Sequence, residues 1–323
     1  MMSLSAQGAY SLTSGFPAIL APLARGAEPL EQALSSRQRI ETELLRSGAV
    51  LLRGWNVASV AAFKSFAAGF GHELLDYEFG STPRTELSKG VYTSTEYPAH
   101  QSIPLHNEQS YSRTWPMKIW FHCHTVATRG GETPIADSRA VYRSLEPAIV
   151  QRFEQKRLCY VRNYGNGLDL PWQRVFATTE RASVEKFCAQ QGISCEWKAD
   201  GELRTAQVCQ ASAQHPRTHE RVWFNQAHLF HVSNLEAETR EALLEVVDAA
   251  DLPRNVYYGD GSPIETSVLD AIRGAWRENQ VSFPWTAGDV LMLDNMLTAH
   301  ARSPFEGPRR VVVAMAEPHS ASE

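Results

Sequence analysis

The stretch GDVLMLDNMLTAH, residues 288–300, carries the clearest indication of the fold. Gly288 and Asp289 lie in a predicted turn, the four residues after them are apolar, and the stretch ends at His300. A second apolar run, RVVVAMA (310–316), follows shortly afterwards. Short strands that are apolar along nearly their whole length are typical of the buried core of a barrel or sandwich. The stretch therefore predicts a core built mainly from β-strands.

Helices are predicted to flank this core. Near the start of the chain, apolar residues recur at helical spacing over 30–47 and 57–70, on either side of an apolar strand at 49–54. The aromatic and β-branched run KIWFHCHT (118–125) predicts another strand. This order of elements favours a sheet with helices on its outer side.

The middle of the chain is predicted to be a long insertion. Helical patterns recur there at 138–145, 148–156, 183–191 and 236–248. The sequence contains no internal repeat, low-complexity tract or clear linker. We therefore expect a single domain over residues 1–323, of the α+β, mainly β class, with residues 1–27 wrapping the surface.

The composition is that of an ordinary globular protein, with 323 residues, 43% of them hydrophobic and 21% charged. A net charge of −5, a pI of about 6.1 and interspersed charges argue against nucleic acid as the main partner. No apolar stretch reaches the length of a membrane span, and the N-terminus makes a poor signal peptide. The five cysteines contain no CxxC pair and are expected to be free thiols. The cytoplasm is the expected location.

The segment LHNE (105–108) is the candidate metal-binding motif. In an extended strand, residues two apart point to the same face, so His106 and Glu108 can reach one metal ion. By itself the pattern is common and weakly specific. A distant histidine, His300, completes a set of two histidines and one carboxylate. Such a set holds iron(II) on one face and leaves positions open for a co-substrate and O₂.

Two neighbouring arginines, Arg309 and Arg310, follow His300 on the next predicted strand. A guanidinium group is a planar, two-pronged donor that suits a carboxylate. An arginine close to the metal is therefore a candidate to bind the free end of a keto-diacid whose other end chelates the iron. Because side chains alternate along a strand, only one of the two faces inward.

These motifs together resemble those of the iron(II)/2-oxoglutarate dioxygenases typified by taurine dioxygenase and clavaminate synthase. The matching segments are LHNE (105–108), GGETPIAD (130–137), GDVLMLDNMLTAH (288–300) and RSPFEGPRRVVVAMAE (302–317). The resemblance implies a double-stranded β-helix, or jelly-roll, core. It also implies that His106, Glu108 and His300 bind iron(II), and that Arg310 binds the distal carboxylate of 2-oxoglutarate with help from Thr133. Arg309 is the rival for the role of Arg310.

A narrower resemblance concerns the substrate. The runs HNEQSYSRTWP, YVRNYGNGLDLPWQRVF, WFNQAHLFH and LPRNVYYGDGSPIE are similar to the branch with the SyrP-type enzymes. This branch implies hydroxylation of an amino acid in secondary metabolism, either free or bound to a carrier protein. Taurine-type enzymes have an anion-binding arginine where this chain has Ala314, which argues against a sulfonate substrate. Related halogenases lack the carboxylate ligand, so Glu108 argues against halogenation.

The residues that contact the substrate are predicted less sharply. Arg162 and Asn163 are candidates to bind a substrate carboxylate or carbonyl, and structural roles are equally open. Asn225 and Gln226 are candidates to line the pocket, and Gln101 precedes the metal-binding strand closely enough to contact substrate. The remaining polar candidates are predicted to be structural: His122, His124, His228 and His231 in packing, and Asp294 and Asn295 in the turn before His300.

The expected reaction consumes 2-oxoglutarate and O₂, releases succinate and CO₂, and hydroxylates an unactivated C–H bond. Desaturation or epoxidation with the same cofactors is the nearest alternative. Two alternatives belong to other classes. A jelly-roll with structural or hydrolytic zinc would use the same three ligands without an arginine beside them. A binding protein without catalytic activity is also consistent with the fold.

Overall fold

The computed structural model describes residues 10–23, 28–76, 84–94, 97–165, 167–198 and 201–320. The strands of this part of the chain are β1 Tyr10–Thr13, β2 Ala18–Pro22, β3 Glu28–Pro29, β4 Ala49–Leu52, β5 Trp55–Asn56, β6 Glu86–Ser88, β7 Val91–Thr93, β8 Ile103–His106, β9 Thr114–Thr125, β10 Arg129–Gly130, β11 Ile135–Asp137, β12 Leu158–Tyr164, β13 Ser194–Trp197, β14 Leu203–Cys209, β15 Ser212–Gln214, β16 Arg221–Trp223, β17 Arg254–Tyr258, β18 Gln280–Val281, β19 Val290–Asp294, β20 Thr298–Arg302, β21 Phe305–Glu306 and β22 Arg310–Ser320. The α-helices are α1 Arg37–Ser47, α2 Val60–Ala68, α3 Ser138–Ser144, α4 Pro147–Lys156, α5 Trp172–Val175, α6 Arg181–Gln191, α7 Ala227–Phe230, α8 Ala237–Val246 and α9 Thr266–Glu278. Short 3-10 helices span Leu30–Ser36, Val232–Asn234 and Ala249–Asp251.

Two sheets form the core. The larger has the strand order β1-β2-β4-β19-β9-β22-β7-β6, and the smaller has the order β18-β11-β20-β8. They face each other, since Phe121 of β9 lies against His300 of β20 with ring centroids 4.9 Å apart. Leu291 and Leu293 of β19 contribute to a buried cluster with Ile135 of the smaller sheet. The central strands are apolar on both faces because helices α1 and α2 cover the outer face of the larger sheet.

The predicted elements at the start of the chain are confirmed, with shifted boundaries. The first predicted helix consists of a 3-10 turn followed by α1, and it ends at Gly48, whose φ of 84° suits a residue without a side chain. Helix α2 starts three residues later than predicted. Its start is set by Ser59, whose hydroxyl accepts a hydrogen bond from the backbone N–H of Ala62 at 3.1 Å.

The N-terminal segment differs from the prediction. Instead of wrapping the surface, its described residues form β1 and β2, and β2 pairs in parallel with β4 of the larger sheet. The physical reason is alternation: Ala18 and Leu20 are fully buried, whereas Ile19 between them is exposed. Residues 1–9 and 24–27 lie outside the described residues, and the single-domain organisation stays a prediction.

The central insertion contains a sheet that the sequence patterns did not indicate. Its strand order is β13-β14-β12-β17. The predicted helices of this region correspond to α3, α4, α6 and α8. Helix α9 was not predicted, although its buried face (Leu269, Ile272, Ala275 and Trp276) has helical spacing. Among the described residues, no helix has the length and apolar character needed to cross a bilayer.

Candidate metal centre

The three predicted ligands lie together at the edge of the smaller sheet. β8 and β20 pair antiparallel with His106 opposite His300, and their ring centroids are 4.4 Å apart. Glu108 comes two residues after the end of β8, and its Oε2 is 3.8 Å from Nε2 of His300. One ligand-capable atom from each of the three residues lies within 4.8 Å of the other two. The structure therefore brings together the set that the sequence predicts.

Both histidines have the protonation state that a metal ligand needs. Burial lowers the pKa of His106, and it brings the pKa of His300 well below its usual value. Both rings are therefore neutral at neutral pH, with nitrogen lone pairs available for a metal. Nδ1 of His106 lies 2.8 Å from the carbonyl oxygen of Pro104, so this nitrogen carries the proton and Nε2 is left as the ligand.

A network of amides holds the main chain around Glu108. Oδ1 of Asn295 accepts the backbone N–H of Glu108 at 2.7 Å, and its Nδ2 donates to the carbonyl oxygens of Glu108 and Pro116 at 2.9 and 2.8 Å. Asn107 donates to the Asn295 carbonyl oxygen at 2.6 Å, and Gln226 donates to the Asn107 carbonyl oxygen at 2.8 Å. Asn295 therefore does more than the predicted shaping of a turn.

Arg84 contacts the carboxylate that belongs to the candidate metal centre. Its Nη2 lies 2.7 Å from Oε2 of Glu108, and the two side chains are only 3% and 5% exposed. Sequence reasoning missed Arg84. The contact joins residues 24 positions apart, and no motif surrounds the arginine.

Two cavities meet at the centre. A small one, of about 30 Å³, is lined by the two histidines and by Ser94, Phe121, Thr133, Arg302 and Arg309 among others. A large one, of about 610 Å³, is lined by His106 and Glu108 and by Tyr97, Gln101, Gln226, Glu236, Thr239 and Arg254 among others. Arg84 and His106 line both cavities. The centre thus has a narrow cavity that contains arginines on one side and a much larger cavity on the other.

The prediction that Arg310 faces inward is wrong. Arg310 is exposed, whereas Arg309 lines the small cavity and donates from Nε to the carbonyl oxygen of Gly131 at 2.8 Å. Arg309 lines this cavity together with Val311, two residues further on, whereas Val312 packs in the cluster on the outer face of the larger sheet. Alternation therefore holds, but both faces of β22 are apolar, so the sequence did not show which face points to the centre. Burial lowers the pKa of Arg309 to about 10, which leaves it positively charged at neutral pH.

Thr133 lies in the small cavity with Arg309, as the sequence suggested. It is 3% exposed, and its Oγ1 accepts a hydrogen bond from Nε1 of Trp285 at 3.2 Å. The hydroxyl group keeps its own proton for a further acceptor.

Of the predicted substrate-contacting residues, Gln101 lines the large cavity, and so does Gln226. Asn225 is not part of the described lining of that cavity. Its Nδ2 donates to the carbonyl oxygen of Ala211 at 2.6 Å, and its Oδ1 accepts the backbone N–H of Ala227 at 3.0 Å. These bonds keep Asn225 in a structural role because both ends of its amide are engaged with the backbone.

Asn163 and Arg162 are also placed away from the cavity. The Asn163 amide donates to the carbonyl oxygens of Ala250 and Leu252 at 3.0 and 2.7 Å. Arg162 lies over the ring of Tyr164, 4.9 Å from its centroid, on the sheet of the insertion. Neither residue lines the large cavity within the described part of the chain, so the structure does not support the predicted substrate contacts.

Most of the polar residues predicted to be structural have structural contacts, but the predicted packing of His124 is wrong, since this residue is exposed. His122 lies against Phe63 with centroids 5.5 Å apart, and Nε2 of His228 donates to the carbonyl oxygen of Leu105 at 2.8 Å. Oδ1 of Asp294 accepts the backbone N–H groups of Met296 and Leu297, each at 3.0 Å. Asp294 therefore forms the turn that leads into β20.

Comparison with known proteins shows which family this arrangement belongs to. The family described as "Taurine catabolism dioxygenase TauD, TfdA family" matches residues 19–315. The dapdiamide synthesis protein DdaC of Enterobacter agglomerans is 41% identical over 307 residues, which cover 95% of this chain and 93% of DdaC. A clavaminate synthase-like protein of Arabidopsis thaliana is 32% identical over 319 residues, with 93% of each chain covered.

Solved structures agree on the fold. PvcB from Pseudomonas aeruginosa is similar with a TM-score of 0.57 at 16% identity, over 97% of this chain and 93% of PvcB. AAD-2, solved in complex with Mn(II) and N-oxalylglycine, has a TM-score of 0.56 at 13% identity, over 97% and 98% of the two chains. The chain belongs to the TauD/TfdA family, and it is an iron(II)- and 2-oxoglutarate-dependent dioxygenase. The family resemblance in the sequence is thereby confirmed.

The residues present fit this cofactor. Two neutral imidazoles and one carboxylate are the donor set that non-haem iron(II) oxygenases use. The ligand-capable atoms of the three side chains converge, and each of the three residues lines at least one of the two cavities. A cationic side chain in the small cavity matches a dicarboxylate co-substrate.

Proposed function

We propose that the protein hydroxylates an unactivated C–H bond of an amino acid or amino-acid-derived substrate, free or bound to a carrier protein, in secondary metabolism. The observation that carries this proposal is the position of the three ligand side chains between a small cationic cavity and a large cavity of mixed charge. When bound, iron(II) and 2-oxoglutarate supply the oxidation of the C–H bond by O₂, with succinate and CO₂ as co-products.

His106, Glu108 and His300 are the proposed iron ligands. The chain would contribute three donors to the ion and leave coordination positions for the keto acid and O₂. The hydrogen bond from His106 Nδ1 to the Pro104 carbonyl oxygen fixes the ring and leaves Nε2 as the nitrogen that would bind iron. The two facing sheets are proposed to form the double-stranded β-helix that the family resemblance implies.

Arg309 and Thr133 are the proposed partners of the distal carboxylate of 2-oxoglutarate. Both line the small cavity beside His300, and both are held by neighbours, through Gly131 and Trp285 respectively. A fixed guanidinium loses little conformational entropy when it binds a carboxylate. This proposal replaces Arg310 with Arg309.

The large cavity is the proposed substrate site. Arg254 lines it and is held by both carboxylate oxygens of Asp169 at 2.6 and 2.7 Å, while Glu236 lines it with the opposite charge. Walls of both signs suit a molecule with a carboxylate and an ammonium group. The relative DdaC is named a dapdiamide synthesis protein, which supports a role in secondary-metabolite synthesis. Ala314 and Val313, which lies four residues after Arg309, are both fully buried and apolar, so neither supplies a charge for a sulfonate.

The first experiment is anaerobic addition of iron(II) and 2-oxoglutarate to the metal-free protein. We expect the weak visible charge-transfer band of the chelate in the wild type and its loss in His106→Ala, because one of three ligands is removed. A folded wild-type protein that binds zinc but forms no such band would contradict the proposal and favour the zinc-protein alternative.

The second experiment identifies the reaction. Amino acids, their amides and amino acids bound to a carrier protein are screened as substrates by the release of succinate. The masses of the products are measured by mass spectrometry. A saturated substrate that gains one oxygen atom supports hydroxylation. Loss of two hydrogens supports desaturation, and oxygen gain only by olefinic substrates supports epoxidation.

A further inference from the structure

The ion pair between Arg84 and Glu108 has a role that the ligand set alone does not explain. The two groups are 2.7 Å apart and almost fully buried. Arg84 also lines both cavities, so its cation lies at the junction of the co-substrate side and the substrate side. A buried charge is found paired because an unpaired one is strongly unfavourable.

Glu108 is the charged member of the proposed ligand set. Histidines bind metals as neutral rings, so in the absence of a metal ion the set carries one negative charge. His106, Glu108 and His300 are buried or partly buried, so water solvates that charge poorly. Arg84 supplies the counter-charge.

Asn295, rather than Arg84, holds the main chain of Glu108. Asn295 already binds both the backbone N–H and the carbonyl oxygen of Glu108, at 2.7 and 2.9 Å, and it is tied to Pro116 at 2.8 Å. Arg84 contacts the carboxylate itself, at 2.7 Å, and its positive charge balances the negative charge there.

We propose that Arg84 is a charge placeholder for the metal ion. In the metal-free protein it neutralises Glu108 and keeps the three ligands assembled. A divalent cation must then share the same carboxylate with a nearby guanidinium of like charge, so Arg84 and the metal oppose each other's binding at Glu108. By reciprocity, the metal weakens the Arg84–Glu108 pair to the same extent. This inference rests on the proposed ligand set.

The test compares wild type, Arg84→Met and Arg84→Lys, with Mn(II) as the probe because it is followed by EPR without turnover. We expect Arg84→Met to lower the Tm of the metal-free protein and to bind Mn(II) at least about tenfold more tightly, since close like charges repel strongly at a buried site. Arg84→Lys keeps the positive charge and is expected to resemble the wild type in both measurements.

The matched control is Arg139→Met. Arg139 forms partly buried ion pairs with Asp137 and Glu220, at 2.9 and 3.0 Å, and in the described part of the chain it lines neither cavity at the centre. Its loss is expected to lower the Tm while the affinity for Mn(II) stays unchanged. If Arg84→Met does not fold without metal, Arg84→Gln, which keeps a donor but not the charge, takes its place.

The outcomes separate this inference from the proposed function. Unchanged or weaker Mn(II) binding by the folded Arg84 variants would overturn the placeholder role and make Arg84 a support for the ligand. Wild-type Mn(II) binding by His106→Ala would instead show that the ligand set is wrong. The chelate band of 2-oxoglutarate with iron(II), which we expect to persist in Arg84→Met, confirms that the three ligands are still assembled.

Discussion

Asn295 joins the two sequence-distant parts of the metal centre. It follows β19, and its amide binds the main chain of Glu108, which follows β8. The centre therefore depends on the buried side chain of Asn295, whose polar atoms all form hydrogen bonds. Buried polar groups stabilise a fold under this condition. Arg309 is fixed in a comparable way, by the carbonyl oxygen of Gly131 at 2.8 Å.

The two neighbouring arginines are expected to differ sharply. Arg309→Gln should raise the concentration of 2-oxoglutarate at half-maximal chelate band by about tenfold or more, because a charge-assisted hydrogen bond contributes about 1.5–3 kcal/mol. Arg310→Gln should change it by less than about twofold, because Arg310 is exposed. The measurement is an anaerobic titration of each variant. A strong effect of Arg310→Gln with none of Arg309→Gln would reverse the assignment of the inward face.

Among the elements, the turn between β10 and β11 sets the position of Arg309. Gly131 has a φ of +76°, and a Cβ added there would lie 2.9 Å from Cδ of Arg309 and 3.0 Å from its Nε. The turn is anchored by β10, which pairs with β21 through Gly130 and Phe305. The GG of the GGETPIAD motif therefore allows close approach of the guanidinium as well as a left-handed turn.

A pair of glycine substitutions tests this element. Gly131→Ala should weaken 2-oxoglutarate binding severalfold, because the new methyl group displaces Arg309. Gly288→Ala is the matched control: its φ is +91°, but the nearest atom to an added Cβ is the Trp55 carbonyl oxygen at an ordinary 3.4 Å. Both variants should lose about 1–2 kcal/mol of stability from backbone strain. Equal 2-oxoglutarate affinities for the two variants would show that the contact with Arg309 is unimportant.

At the level of the whole molecule, separate hydrophobic clusters support the centre and the insertion. Leu293 belongs to the cluster between the two facing sheets, with Phe121, the neighbour of His300. Leu203 belongs to a cluster within the insertion that includes Tyr164. The two leucines are both fully buried, which makes them a matched pair.

Truncation of these leucines should have distinct consequences. Each change to alanine is expected to cost about 2–5 kcal/mol, the range for a buried leucine. Leu293→Ala should also weaken iron and 2-oxoglutarate binding, whereas Leu203→Ala should leave the chelate band intact. Hydrogen exchange should accelerate in β14 for Leu203→Ala and in β19 and β20 for Leu293→Ala. If Leu203→Ala accelerated hydrogen exchange in β20 as much as in β14, the two clusters would unfold as one unit.

Much of the fold was predictable from local patterns. The strands around 118–125, 290–293 and 310–316 were recognisable because both of their faces are apolar, which reflects burial between layers. The strands β12, β14 and β17 were missed. They lie within an insertion whose pairing partners are far apart in the chain, and short runs of mixed polarity do not distinguish strands from loops.

The sequence by itself indicated the three candidate ligands, and the resemblance of its motifs indicated the family and the co-substrate chemistry, because His106, Glu108 and His300 lie in short motifs that can be recognised locally. The expected strand at Glu108 was wrong, since β8 ends at His106. Only the tertiary structure decided that Arg309 rather than Arg310 faces the small cavity, because both faces of β22 are apolar and alternation alone does not show which face points to the metal centre. It alone also revealed Arg84 beside Glu108. A buried ion pair between distant segments depends on how those segments pack, and packing leaves no periodic trace in the sequence.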